Sequence, residues 1–392
     1  MTNYLKEAIG KWHLAIPFFL IFLVNIAITQ ENGFEYAGRL ALFASLSAFL
    51  GIFFGLRWDS EVLVKDIGNL VTSVQTGLLS ISLFFLSTIL LTLVFSIENL
   101  MFFEVYVLIL SATSVAIFEL LINVELKLGS LKNYIFFRIS QPMILYTLCI
   151  YENRESLSFL CSYLLPVTIL LFLHWKTFSN LGFLQEKNFF IFKTLINKLA
   201  PTISALITNS VPLLLLILVS VEFGEDHAGI WINIYRIFNL PVAFIGAAFL
   251  PYLLSRIGDK DKDDEKLKIF LIFILFLFFI SLFVILISFL VGGEIFIMLT
   301  AQEIMPNAVF IASLVAIGFM QYSLQYLKEI YQSINKVYIF LYLVIIELVL
   351  IFFVIFNYEY TSPEIFAYTI FFAVGAPFLL SMMISFRKMS YS

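Results

Sequence analysis

The sequence predicts an all-α integral membrane protein of about twelve transmembrane helices in two pseudo-symmetric six-helix bundles. Three observations carry that prediction: an apolar surplus too large for one core, a ladder of apolar runs, and a motif that recurs half a chain later. Of the 392 residues, 61% are hydrophobic and only 13% charged, and the mean hydropathy is +1.01. Water-soluble domains are closer to half apolar and a quarter charged. Lipid is the solvent that accepts such a surface.

The apolar runs fall at 12–30, 36–56, 72–97, 101–123, 134–151, 157–175, 196–221, 228–254, 267–291, 304–326, 337–357 and 364–386. Each approaches the length of about 20 residues that a helix needs to cross a bilayer. Backbone in lipid must satisfy its own hydrogen bonds, so each run is read as a helix. The first is read as a retained helix, because "AITQENGFEYAG" offers no small-x-small cleavage site. An even number of spans puts both termini on one side. On that side lie Lys6, Lys11, Arg57, Lys65, Lys127, Lys132 and Arg138, and the basic loops around Lys187 and Lys262. Of the 23 Lys and Arg residues, only Arg39, Arg154 and Arg236 fall elsewhere. The positive-inside rule then makes both termini cytoplasmic.

The motif "GFEYAG" (Gly33–Gly38) opens the second run, and "GEDHAG" (Gly224–Gly229) opens the eighth. Each is a glycine turn followed by Ala-Gly entering a helix. Halves of six spans have the same orientation and are related by an axis along the membrane normal, a common transporter plan. The domain reading is therefore an N-terminal six-helix lobe at 1–176, a charged cytoplasmic linker at 177–195 and a C-terminal six-helix lobe at 196–392.

Several function classes are disfavoured. No GxxxxGK[ST], HExxH or GxSxG pattern occurs, and the outward connections are short, so no cofactor, catalytic domain or nucleic-acid partner is expected. Cys149 and Cys161 form no CxxC, so neither a metal nor a redox centre is expected. "DKDKDDEK" lacks the glycine and closing glutamate of a calcium loop and reads as a solvated connection.

Arg236 is the one basic residue inside the eighth run, in "INIYRIFNLPVAFIG". At 100° per residue it shares a face with Gly229, Asn233, Leu240, Ala243 and Ala247. Trp231, Ile234, Phe238, Ile245 and Phe249 lie opposite and are expected to face lipid. A cation about 12 Å below the outer boundary costs at least a few kcal/mol and calls for a partner. Glu347, the acid these boundaries place at mid-span, is the candidate within the protein. Two readings stand side by side: a structural Arg236–Glu347 ion pair, or an arginine that meets an anionic substrate while Glu347 carries a coupling proton or sodium ion. Gln321, Gln325 and Lys328 follow Gly318 as a polar stripe on the tenth run, and Arg138 precedes Gln141 and Pro142 on the fifth.

"FGEDHAGIWINIYRIFNLPVAFIGAAF" resembles the start of the second lobe in bacterial flippases for lipid-linked oligosaccharides, O-antigen and polysaccharide exporters of the MOP superfamily. "NGFEYAGRLALFASLSAFLGIFFGLRWDSEVLVKD" is similar to their first-lobe segment. It ends in Leu56-Arg57-Trp58-Asp59 where the family typically has a Leu-Arg-Tyr-Glu-like sequence. The resemblance implies a MATE-like fold with a central cavity, alternating access, and transfer of an undecaprenyl-pyrophosphate-linked glycan to the outer leaflet of the bacterial inner membrane. It implies Arg236, and less directly Arg57, as substrate-binding residues. Arg138, Asn233, Gln321, Gln325 and Lys328 join them as the polar groups expected to line the path. Expected partners are lipid-linked oligosaccharide, membrane lipid, a coupling proton or sodium ion, and polysaccharide polymerase machinery. The rivals are a multidrug or metabolite cation antiporter of the same fold and a membrane enzyme of glycan assembly.

Overall fold

The computed structural model describes residues 16–59, 62, 70–95, 101–152, 154–179, 188–258, 263–333, 337–357 and 362–390. Their regular structure is helical: α1 Ile16–Gly55, α2 Leu70–Phe95, α3 Met101–Lys127, α4 Leu131–Tyr151, α5 Glu155–Ser179, α6 Asn188–Phe223, α7 Glu225–Gly258, α8 Asp263–Thr300, α9 Ala308–Ser333, α10 Val337–Asn357 and α11 Pro363–Ser390. α1 is two expected spans in one. Its 40 residues kink at Gly33, where φ is 83° and ψ is 176°, a conformation open mainly to glycine. α6 begins at Asn188, inside the stretch expected to be a linker.

The helices are apolar enough for lipid, and six carry a described stretch long and hydrophobic enough to cross a membrane. Exposure follows the helical period. On α8, Ile272, Phe276, Phe279, Phe283, Leu286 and Leu290 form an exposed apolar row, while Ser281 and Ser288 are buried. On α10, Val349, Phe353 and Phe356 are exposed, and Leu343, Val344, Glu347 and Ile351 face inward. Bulky apolar rows outward, with the polar groups turned inward, is the pattern of helices that pack on one another in lipid.

The chain forms two compact units. One is Arg39–Leu213, in which α3 packs on α2, α4 and α5. Its core includes Phe54, Trp58, Val62, Ile81, Ala112 and Leu120. The other combines the described part of Met1–Gly38 with Leu214–Ser392 and is organised around α9, which packs on α7, α8, α10 and α11. By compactness, then, the first arm of α1 goes with the later half of the chain, whereas the expected lobes follow chain order.

The reason lies in the repeated motif. Gly33 and Gly224 both have positive φ, 83° and 94°, so the opening glycine of each copy serves the same backbone need. At the other end of each copy, a Cβ on Gly229 would overlap the Phe34 carbonyl, and one on Gly38 would overlap the Glu225 carbonyl. The two Ala-Gly steps thus lie against each other, backbone to backbone. Phe34 also stacks on Phe296 of α8, with ring centroids 5.6 Å apart.

Candidate functional site

Arg236 lies on α7, twelve positions into a helix whose first turn carries Glu225 and Asp226. Its Nη1 donates to Asn25 Oδ1 on the first arm of α1 at 2.5 Å. Asn25 in turn donates to the Ile21 carbonyl at 2.6 Å. One turn further along α1, Thr29 Oγ1 donates to Asn233 Oδ1 at 3.0 Å, and Asn233 Nδ2 returns to the Gly229 carbonyl at 2.8 Å. Asn25, Thr29, Asn233 and Arg236 therefore make one polar seam between α1 and α7. The neutral Asn25 amide holds the arginine there and supplies no negative charge.

A second polar line runs between α7 and α9. Tyr235 donates its hydroxyl to Gln321 Oε1 at 3.0 Å, and its ring lies 6.3 Å from that of Tyr322. Gln321 Nε2 is buried and makes no hydrogen bond. Asn239 Nδ2 donates to the Leu314 carbonyl at 3.2 Å, and its amide occupies the space where a side chain at position 318 would stand, so Gly318 is needed for close packing. Spare donor and acceptor atoms on Gln321 and Asn239 leave this seam with unused hydrogen-bonding capacity.

Arg236 and Glu347 do not form an ion pair. Glu347 sits on the inward row of α10 and is only 3% exposed. Its Oε1 has no hydrogen-bond partner, and the Leu343, Val344 and Ile351 side chains that share its face are apolar. An acid so placed lacks the compensation that buried polar groups normally have. The pair fails because the arginine's reach goes to α1, while α10 packs on α11 and α9. Glu347→Leu is accordingly expected to raise the thermal unfolding midpoint in detergent, through about 1–3 kcal/mol of removed desolvation cost. Unfolding at lower temperature would show that the carboxyl is satisfied.

The expected lipid face of α7 is also corrected. Trp231, Ile234 and Phe238 are all buried, and Trp231 packs its ring 5.9 Å from Phe310 and 5.8 Å from Phe366. α7 has protein on both sides, so its bulky row is core. Ile245 and Phe249 lie outside the residues whose side chains are described, as do Gln325 and Lys328.

The remaining candidates belong to the other unit. Arg57 follows α1 in a left-handed conformation, φ 58°, next to the buried Trp58. Arg138 on α4 holds Glu119 of α3 through two bonds, 2.6 and 2.5 Å. The sequence analysis does not single out Glu119, which lies inside the fourth apolar run near its end. Beyond the run, where α3 continues to Lys127, Glu125 accepts from Asn133 at 3.0 Å and meets His174 Nε2 at 2.7 Å. Among the described residues, no group of three or more His, Cys, Asp or Glu side chains is placed to hold a metal ion.

No protein-family model matches the sequence. No curated protein matches it either. Solved structures do. A MATE protein in its bent conformation aligns over 99% of this chain and 97% of its own, with a TM-score of 0.63 and 16% identity. The outward-facing form of a multidrug resistance MATE family transporter of the MOP superfamily gives 0.64 and 16%, over 98% and 96%. A MOP superfamily transporter from Pyrococcus furiosus, described as having a binding pocket of reverse polarity, gives 0.66 and 15%, over 98% and 96%. The fold is that of the MATE transporters.

Proposed function

We propose that this chain is an alternating-access flippase that moves an undecaprenyl-pyrophosphate-linked oligosaccharide from the cytoplasmic to the outer leaflet of a bacterial inner membrane. In this reading it is a transporter and not an enzyme, both termini are cytoplasmic, and residues 1–176 and 196–392 are its two lobes. Alternating access is supported by the fold, since a multidrug resistance MATE transporter of similar fold has both an inward-facing and an outward-facing form.

The observation that carries the anionic substrate is the company Arg236 keeps. Its side-chain hydrogen bond goes to the neutral Asn25 amide, and Glu347, the acid expected to neutralise it, is not its partner. A guanidinium held in a span by an amide leaves its positive charge available, and it pairs with phosphate through parallel N–H bonds. A transporter for cationic drugs would gain nothing from that arrangement. Asn233, Gln321 and Tyr235 supply neutral hydrogen-bonding groups suited to sugar hydroxyls, and Glu347 is assigned the coupling proton or sodium ion. Arg57, Gln325 and Lys328 remain in this proposal as cations or amides along the path, and a polysaccharide polymerase would take the product.

The decisive experiment uses purified full-length protein in liposomes loaded with a lipid-linked oligosaccharide, scoring how fast the glycan becomes accessible to an external glycosidase. Flipping that depends on Arg236 supports the proposal. Absence of flipping together with proton-driven efflux of a fluorescent cation would replace it with the drug-antiporter reading.

A further inference from the structure

Two leucines stand exposed where the chain turns from α3 into α4. Leu128 keeps 50% of its exposure and Leu131 37%. The turn that presents them is tied down. The Ser130 N–H donates to the Glu125 carbonyl and the Leu131 N–H to that of Gly129, both at 2.9 Å, and Gly129 makes the reversal at φ 76°. From inside, the buried Glu125 carboxylate accepts from Asn133 of α4 and meets His174 of α5. Apolar side chains fixed in that position are stabilised where acyl chains cover them, not where water does.

The depth of the turn follows from α4. Its outward apolar row is Phe136, Met143 and Ile150. Lys132 is exposed and lies within about 40° of all three at 100° per residue. Lys132 and Ile150 are about 27 Å apart along the helix axis, close to the roughly 30 Å thickness of the hydrocarbon core. The lipid-facing row therefore ends at Lys132, which puts this lysine and the turn before it at headgroup depth. A lysine there lays its stem along apolar surface and keeps its ammonium among the phosphates.

The charge at this end is one-sided. Between Glu125 and Glu152 the sequence has Lys127, Lys132 and Arg138 and no acid. Arg138 is held by Glu119, and Glu125 is turned inward onto Asn133 and His174. Lys127 closes α3 and Lys132 lies in the first turn of α4, so two ammonium groups flank the two exposed leucines.

We propose that the α3–α4 turn binds an anionic phospholipid of the adjoining leaflet, with its phosphate on Lys127 and Lys132 and its acyl chains against Leu128, Leu131 and Phe136. That leaflet is the cytoplasmic one in the topology proposed above, but the site does not depend on what the protein transports. Because Glu125 fastens the turn to α4 and α5, a lipid held there fixes the ends of three helices of the Arg39–Leu213 unit at one depth.

The test uses the full chain purified in detergent, with bound lipid counted by native mass spectrometry as phosphatidylglycerol or phosphatidylcholine of the same acyl chains is added. Phosphatidylglycerol is expected to bind more tightly. K132Q should weaken it about fivefold and K127Q/K132Q about 25-fold, the share of one and of two basic residues at an anionic lipid surface, while phosphatidylcholine binding stays the same. L128S/L131S should weaken both lipids. K260Q/K262Q, which neutralises two lysines elsewhere in the sequence, should leave the K132Q-sensitive binding intact. Equal binding of the two lipids, no loss in K132Q, no effect of the leucine changes, or an equal loss in K260Q/K262Q overturns the site. Competition by soluble glycerol 1-phosphate would overturn it as well, because it would mark a site for free phosphate and not for lipid. Glycan flipping in liposomes is scored separately, so loss of this site leaves the flippase reading standing, and absence of flipping leaves the lipid site standing.

Discussion

A Gly229→Val chain is expected to fail to accumulate as folded protein, because even the first added carbon meets the Phe34 carbonyl oxygen. The obstacle is backbone in a packed crossing, so no rotamer change relieves it. Overpacked sites commonly cost about 1–3 kcal/mol, and a backbone collision belongs at or above the top of that range. Size-exclusion profiles of detergent extracts at rising temperature measure it. Gly33→Ala is the contrasting case. Nothing lies within 4 Å of its Cβ position, and only the backbone, φ 83° with ψ 176°, is strained, so about 1–3 kcal/mol is expected. Equal stability of Gly229→Val and the parent chain would mean that the two Ala-Gly steps do not touch.

Arg236→Gln is expected to cut glycan flipping by about 100-fold, the loss that follows when two charge-assisted bonds to a phosphate are removed at roughly 1.5 kcal/mol each. Folding should be little affected, since glutamine still reaches toward the amide of Asn25. Arg236→Lys should fall between the two, as a point charge without the planar fork. The same series read on initial rates separates this role from a structural one. A glutamine variant with full flipping rate and lowered thermal stability would make Arg236 a packing residue.

How much of this is legible in the sequence differs from residue to residue. The repeat is readable as an opening glycine and a closing Ala-Gly at Gly33 and Gly224, because a positive-φ turn before a helix restricts the choice at that position to glycine. The orientation of Arg236 is readable from the 3.6-residue period. The lipid face of α7 is not, because Trp231, Ile234 and Phe238 would be equally apolar against lipid or against Phe310 and Phe366. Glu119 escapes notice because it lies near the end of the fourth run, and α3 continues beyond that run to Lys127.

The sequence by itself determined the solvent, the helical class and the repeated turn. Those follow from composition and from local backbone preference, which act within a few residues. Tertiary structure alone decided that Asn25 and not Glu347 holds Arg236, and that Glu119 holds Arg138. A charge in a span must find a partner, but burial cost says nothing about which helix supplies it. That choice belongs to the crossing of the two Ala-Gly steps and to the packing of α3 on α4, contacts between residues that local preference does not bring together.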